Sequence, residues 1–239
     1  MISRSNIFKR VTGISVLSIL LAFSFFGCDN ATSPSSSGGI DKRAIVCLGD
    51  SLTEGYGASQ QESYPAFLQK KIAVTVINAG VSGDTASGGL ARVNSDVLAK
   101  DPQMVIVLLG GNDFLRVRPR PAAETKADLQ AIINRIKGEN RKVYLASFIG
   151  DAEWEKSYLN TIPILAVTSH AALLAEYRKI FSELASENKD IGYIPNIWMG
   201  IGSTDMSDPI HPNAEGYNKM AENIYTAIEP YLRDNGIKN

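Results

Sequence analysis

Five largely apolar runs, most of them stopped by glycine or small polar residues, constrain this chain more than any other feature. They span residues 44–48, 74–79, 104–109, 143–147 and 191–194. A strand with one wet face alternates apolar and polar residues, whereas a continuous run signals burial on both faces. Between the runs the spacing becomes helical. Pro65 opens a segment carrying Phe67, Leu68 and Ile72, and proline suits a first helical turn. Leu90, Val93 and Val97 share one face, and Leu129, Ile132, Ile133 and Ile136 follow the i, i+3, i+4, i+7 pattern. Leu173, Tyr177, Ile180, Phe181 and Leu184 form another stripe. Asn213 is placed to cap a last helix with Tyr217, Met220, Ala221, Ile224 and Ile228 inward. Strand–helix alternation repeated five times predicts an α/β fold, a parallel sheet between two helical layers. Its ligand should lie beyond the carboxyl ends of the strands. Cys47, inside the first run, reads as an inert core residue.

The amino terminus differs in character. Arg4, Lys9 and Arg10 precede 17 uncharged residues, 11–27, rich in Leu, Ile, Val and Phe. Cys28 follows directly. This is the layout of a secretory leader, and Phe25-Phe26-Gly27-Cys28 resembles a bacterial lipobox, cut before the cysteine that receives the lipid. An uncleaved anchor helix and ordinary secretion are the competing readings. Residues 28–40 are Ser/Gly-rich and read as a flexible tether. The expected organisation is a leader over 1–27, a tether over 28–40 and one domain over 41–239. It predicts a membrane-anchored lipoprotein of the bacterial envelope, or a secreted protein without the lipid. Losing Arg4, Lys9 and Arg10 would move the net charge from −1 to −4. No broad basic field remains, which argues against nucleic acid as a partner. Two cysteines cannot build a disulfide framework or a cysteine-rich zinc site.

The segments after the strands hold the candidate chemistry. Gly49-Asp50-Ser51-Leu52 can present the Ser51 hydroxyl at the sheet edge, although Asp50 or Ser51 could equally cap a helix. Gly80-Val81-Ser82-Gly83-Asp84-Thr85 can offer the Gly83 N–H, or be an ordinary turn with Thr85 capping the next helix. Gly110-Gly111-Asn112-Asp113 can donate the Asn112 amide, or be turn chemistry alone. In Asp208-Pro209-Ile210-His211-Pro212-Asn213, an aspartate three residues before a histidine can hold Nδ1–H and leave Nε2 free for a serine proton. The other histidine, His170, has no acid within three positions and reads as structural or solvated.

Taken together, these four blocks resemble the SGNH hydrolase family, also called the GDSL esterases/lipases. Residues 49–57, 78–92 and 109–115 look closest to its bacterial arylesterase and multifunctional thioesterase/lysophospholipase branch. Pro209 departs from the glycine common there. Residues 150–169, with Trp154 and Tyr158, have no counterpart in the minimal fold and suggest a lid or substrate wall. The resemblance implies a flavodoxin-like, five-stranded α/β/α fold and no cofactor or metal. It implies a Ser51–His211–Asp208 triad and an oxyanion hole from Ser51 N–H, Gly83 N–H and Asn112. Asp50 and Asp113 would brace the loops. The implied reaction is hydrolysis of small-molecule or lipid carboxylic esters or thioesters. A carbohydrate O-acetylesterase is the alternative, and a non-catalytic binding lipoprotein a further one. Phe114, Leu115, Met206 and Ile210 are candidate acyl-wall residues. Arg116, Arg118 and Arg120 suggest either a head-group site or a solvated loop.

Overall fold

Each apolar run becomes a short parallel strand. In the computed structural model, which describes residues 44–115, 119–137, 141–160 and 167–237, the strands are β1 (Ile45–Gly49), β2 (Val76–Gly80), β3 (Met104–Leu108), β4 (Lys142–Ala146) and β5 (Gly192–Ile194). Their order is β2-β1-β3-β4-β5, all parallel. This is the flavodoxin-like arrangement, in which the order reverses beside β1. The leader, the tether and Cys28 lie outside the described residues, as do Arg116 and Arg118.

The helices are α1 (Ser51–Glu54), α2 (Tyr64–Gln69), α3 (Ala86–Arg92), α4 (Gly111–Leu115), α5 (Ala122–Lys137), α6 (Ala152–Leu159), α7 (Val167–Glu187) and α8 (Ala214–Asp234). Helices α2 and α8 pack together, while α5 packs against both α3 and α7. The predicted stripe of α5 is fully buried at Leu129, Ile132, Ile133 and Ile136. Each such side chain contributes roughly 1.5–3 kcal/mol by leaving water. The inward face of α8 is buried at all five expected positions, and Asn213 Oδ1 caps it by accepting the Gly216 N–H at 3.1 Å.

Four expectations change in detail. Strand β2 is an edge strand, so its residues are only half-buried despite the apolar run. Ile72 is buried but lies beyond the end of α2. The face with Leu90, Val93 and Val97 does not form one regular helix: α3 widens into a π-type turn over Val93–Val97 and tightens into a 3₁₀ turn over Leu98–Lys100. In α7 Leu174 is buried and Leu173 only partly so, because Leu174, three positions before Tyr177 and seven before Phe181, lies on the same helical face as those buried residues.

The register sets the level of the site. Gly49 of β1 pairs with Gly80 of β2 and with Leu108 of β3. The three strands therefore end together, and the segments that follow emerge side by side at the order reversal. Cys47 faces the core with no exposed surface, and burial pushes its thiol up to about 12, with a Tyr64 hydrogen bond opposing the shift.

Candidate active site

Ser51 is the first residue of α1, a single turn that starts directly after β1. Asp50 caps this turn, its Oδ1 accepting the Leu52 N–H at 3.0 Å. Both readings of this block therefore hold: Asp50 is the cap, and Ser51 projects into a cavity. The Ser51 hydroxyl reaches across 160 residues of chain to His211, with Oγ 2.9 Å from Nε2. His211 Nδ1 lies 2.7 Å from Asp208 Oδ2. The loop that carries both is narrow. A bridge joins Met206 to Pro212, and the Ser207 N–H donates to the His211 carbonyl at 2.9 Å.

Asp208 is tied on its other oxygen. Oδ1 accepts the N–H groups of Ile210 at 2.9 Å and His211 at 2.8 Å. Burial works to raise its carboxyl, but these two donors and the His211 side chain outweigh it and hold the group below the usual carboxylate range. Asp208 therefore stays an acceptor at neutral pH, which orients the imidazole with Nδ1 protonated and Nε2 facing the serine. Tyr56, mostly exposed, lays its ring against His211 with centroids 4.6 Å apart.

Around Ser51 stand the other predicted donors. Gly83 adopts φ +79°, a left-handed conformation that favours glycine, and a side chain there would meet open space. Neither the Ser51 N–H nor the Gly83 N–H donates to another described residue. Asn112 also lines the cavity, and its Nδ2 donates to the Asp84 carbonyl at 2.8 Å and approaches Asp50 Oδ2 at 3.4 Å. Thr85 caps α3 by accepting the Gly88 N–H at 3.1 Å, so the turn reading of that block holds as well.

The braces around the site carry no local signature in the sequence. Glu54 accepts the Ser82 N–H at 2.7 Å and its hydroxyl, pinning the segment that presents Gly83. Arg92 donates to the carbonyls of Gly49 and Ala79, both at 2.8 Å, and pairs with Asp84 at 2.7 Å and Asp96 at 2.9 Å. It thus ties the ends of β1 and β2 to the loop below Asn112. Asp113, fully buried, accepts the Ala86 N–H at 2.8 Å and pairs with Arg120 at 2.8 Å. Arg120 also holds Asp128 at 2.8 Å. It is a structural clamp rather than a free head-group ligand, which corrects one reading of the arginine run.

The cavity itself is about 190 Å³ and mostly apolar. Phe114, Leu115 and Ile210 line it as expected, as do Trp154 and Tyr158 of the extra segment. Phe148 and Trp198, which follow β4 and β5, complete the wall, and only their place after strand ends hints at this in the sequence. Trp154 and Tyr158 stack with centroids 5.7 Å apart, and the Trp198 indole N–H donates to the Phe148 carbonyl at 2.8 Å. Met206 lies instead in an adjoining groove beside Asp208 and Pro209. His170 packs edge-on against Phe114, centroids 6.2 Å apart. Among the described residues no cluster of three or more His, Cys, Asp or Glu could hold a metal ion, and no helix is long and apolar enough to cross a membrane.

With this geometry in hand, comparison with known proteins is specific. Residues 47–219 match the GDSL-like Lipase/Acylhydrolase family. The chain is 30% identical over 195 residues to thioesterase 1/protease 1/lysophospholipase L1 of Escherichia coli, covering 79% of this chain and 84% of that protein. It is 25% identical over 198 residues to esterase TesA of Pseudomonas aeruginosa, covering 80% and 90%. A solved crystal structure of TesA superposes with a TM-score of 0.66 at 25% identity, covering 80% of this chain and all of that one.

Proposed function

This chain belongs to the GDSL-like Lipase/Acylhydrolase family and is a serine ester hydrolase, and we propose that it cleaves carboxylic esters or thioesters through Ser51, His211 and Asp208. The observation that carries the assignment is the continuous relay from Ser51 Oγ to His211 Nε2, 2.9 Å, and from His211 Nδ1 to Asp208, 2.7 Å. Ser51 Oγ attacks the carbonyl carbon while His211 takes its proton. The proton then passes to the leaving alcohol or thiol, and an acyl-enzyme remains on Ser51. Asp208 holds the imidazolium that forms. The Ser51 and Gly83 N–H groups and the Asn112 amide receive the oxyanion, one such donor being worth about 3–4 kcal/mol in the transition state. Water activated by His211 releases the acid.

The aromatic lining supports an apolar acyl or aryl group larger than acetyl. An engineered apolar cavity of about 150 Å³ holds benzene, and the one beside Ser51 is slightly larger. A chain-length series of p-nitrophenyl esters and acyl thioesters, with an acetylated sugar included, tests the assignment. Ser51→Ala should abolish turnover and covalent labelling by a fluorophosphonate, and unchanged activity in that variant overturns the serine mechanism. Preference for acyl chains of six or more carbons supports a lipid substrate, and preference for the acetylated sugar overturns it.

The proposal extends to location. The basic start, the apolar run and Phe25-Phe26-Gly27-Cys28 support export and lipid attachment at Cys28. The enzyme would then work tethered to an envelope membrane. Mass spectrometry of the mature amino terminus tests this, and an unmodified Cys28 within an intact leader overturns it.

A further inference from the structure

Three carboxylates converge below the Ser51 side of the cavity, and two of them carry their own cation. Asp84 pairs with Arg92 at 2.7 Å and Asp113 with Arg120 at 2.8 Å. Asp50 is the third. It is buried, and among the described residues no lysine or arginine pairs with it. Its Oδ1 serves the helix cap, and its Oδ2 lies 3.4 Å from Asn112 Nδ2. A side-chain amide has two protons to give. Asn112 gives one to the Asp84 carbonyl at 2.8 Å, so a single proton is left for both Asp50 and an oxyanion.

We propose that Asp50 is a positioning residue that serves catalysis as a neutral acid. Protonated, it leaves the second Asn112 amide proton to the developing oxyanion; ionised, it draws that proton away and sets a negative charge beside the oxyanion. This rests on the oxyanion-hole assignment given above and adds a role for a group that the triad does not use.

The surroundings favour the neutral form. Burial pushes the Asp50 carboxyl up to about 7; the Leu52 N–H opposes the shift, and the charges of Asp84 and Asp113 add to it. Tyr64 of α2 and Tyr217 of α8 also feel Asp50, and burial, with Asp50 adding, drives both phenols upward, so they stay neutral in the working range. His211 reaches the same corner through Ser51. Arg92 and Arg120 are held by the two flanking acids and leave Asp50 uncompensated. Both forms of Asp50 are thus accessible near neutrality, and a growing oxyanion tips the balance further toward the protonated one.

The test compares the wild-type chain with Asp50→Asn and Asp50→Ser between pH 6 and 9 on one p-nitrophenyl ester. Asp50→Ser keeps a helix-capping oxygen without a charge, so it serves if the amide variant folds poorly. The kcat ratio of variant to wild type should rise about tenfold from pH 6 to pH 9 as the wild type acquires the charge, with the KM ratio flat. A ratio that stays flat marks Asp50 as a cap only and overturns the proposal, as does a ratio that falls. Fluorophosphonate labelling of Ser51 runs in parallel. Hydrolysis without labelling would overturn the serine mechanism itself, whereas intact labelling with a flat ratio overturns only the role of Asp50.

Discussion

Replacing Arg120 with methionine removes the guanidinium that holds Asp113 while keeping the length of the side chain. Asp113 has no exposed surface, and among the described residues its carboxylate accepts, apart from Arg120, only the Ala86 N–H. Removing one partner of a buried pair costs about 3–5 kcal/mol, because the remaining charge is left uncompensated. Arg120 is a quarter exposed, so water screens part of the pair, and about 2–4 kcal/mol is the working figure. For a domain of this size each kcal/mol lowers Tm by roughly 2–4 °C. Arg120→Met should therefore melt about 4–16 °C below the wild type in a thermal unfolding scan followed by circular dichroism. Asp128→Asn, which removes a partly exposed member of the same cluster, should cost less than about 1 kcal/mol. Kinetics on a neutral ester and on a lysophospholipid complete the assay, and KM should change for neither. A Tm within about 1 °C of the wild type refutes the clamp. A KM rise confined to the lysophospholipid would instead restore the head-group reading of the arginine run.

Further outcomes follow from the same geometry. Asp208→Asn keeps the backbone acceptor but offers N–H to His211 Nδ1, which traps the proton on Nε2; kcat should fall roughly 10³–10⁴-fold with KM little changed, and a loss under tenfold rejects Asp208 as the orienting acid. Asp50 also links pH to stability. Its carboxyl is raised in the folded state, so its contribution is fully present below about pH 4 and is lost as pH rises through about 7. Asp50→Asn should hence gain about 1–4 kcal/mol relative to the wild type in urea unfolding between pH 5 and pH 8, and a pH-independent difference contradicts the shift. Ile132→Ala, at a fully buried position of α5, should cost about 2–5 kcal/mol in the same assay; a loss below 1 kcal/mol would mean that the helix layer is not closely packed there.

Much of the architecture is already present in the order of residues. The runs around Val46, Ile106 and Leu145 mark strands because burial on both faces leaves no room for polar alternation. The stripe Leu129–Ile132–Ile133–Ile136 marks a helix because 3.6 residues per turn brings those positions to one side. Asp208 and His211 declare their relation over three residues, since the link between them is local. Ser51, Gly83 and Asn112 are legible because each follows a strand, and strands of one parallel sheet end at one edge.

What lies across space could not be read in this way. The 2.9 Å meeting of Ser51 with His211 depends on where α8 and its preceding loop return to the sheet. Arg120 looked like a free cation because nothing beside it in the sequence shows that Asp113 and Asp128 converge on it. The half-exposed β2 reads like a central strand because edge position is a property of the sheet, not of the strand. Asp50 shows the difference most clearly. Its role as a helix cap is local and was visible from its place before Ser51. Its titration near neutrality comes from burial and from two acids 34 and 63 positions away. The sequence by itself determined most of the elements and the candidate reacting groups, because periodicity and short motifs act along the chain. The tertiary structure alone decided their charges, partners and distances, because electrostatics and packing act through space.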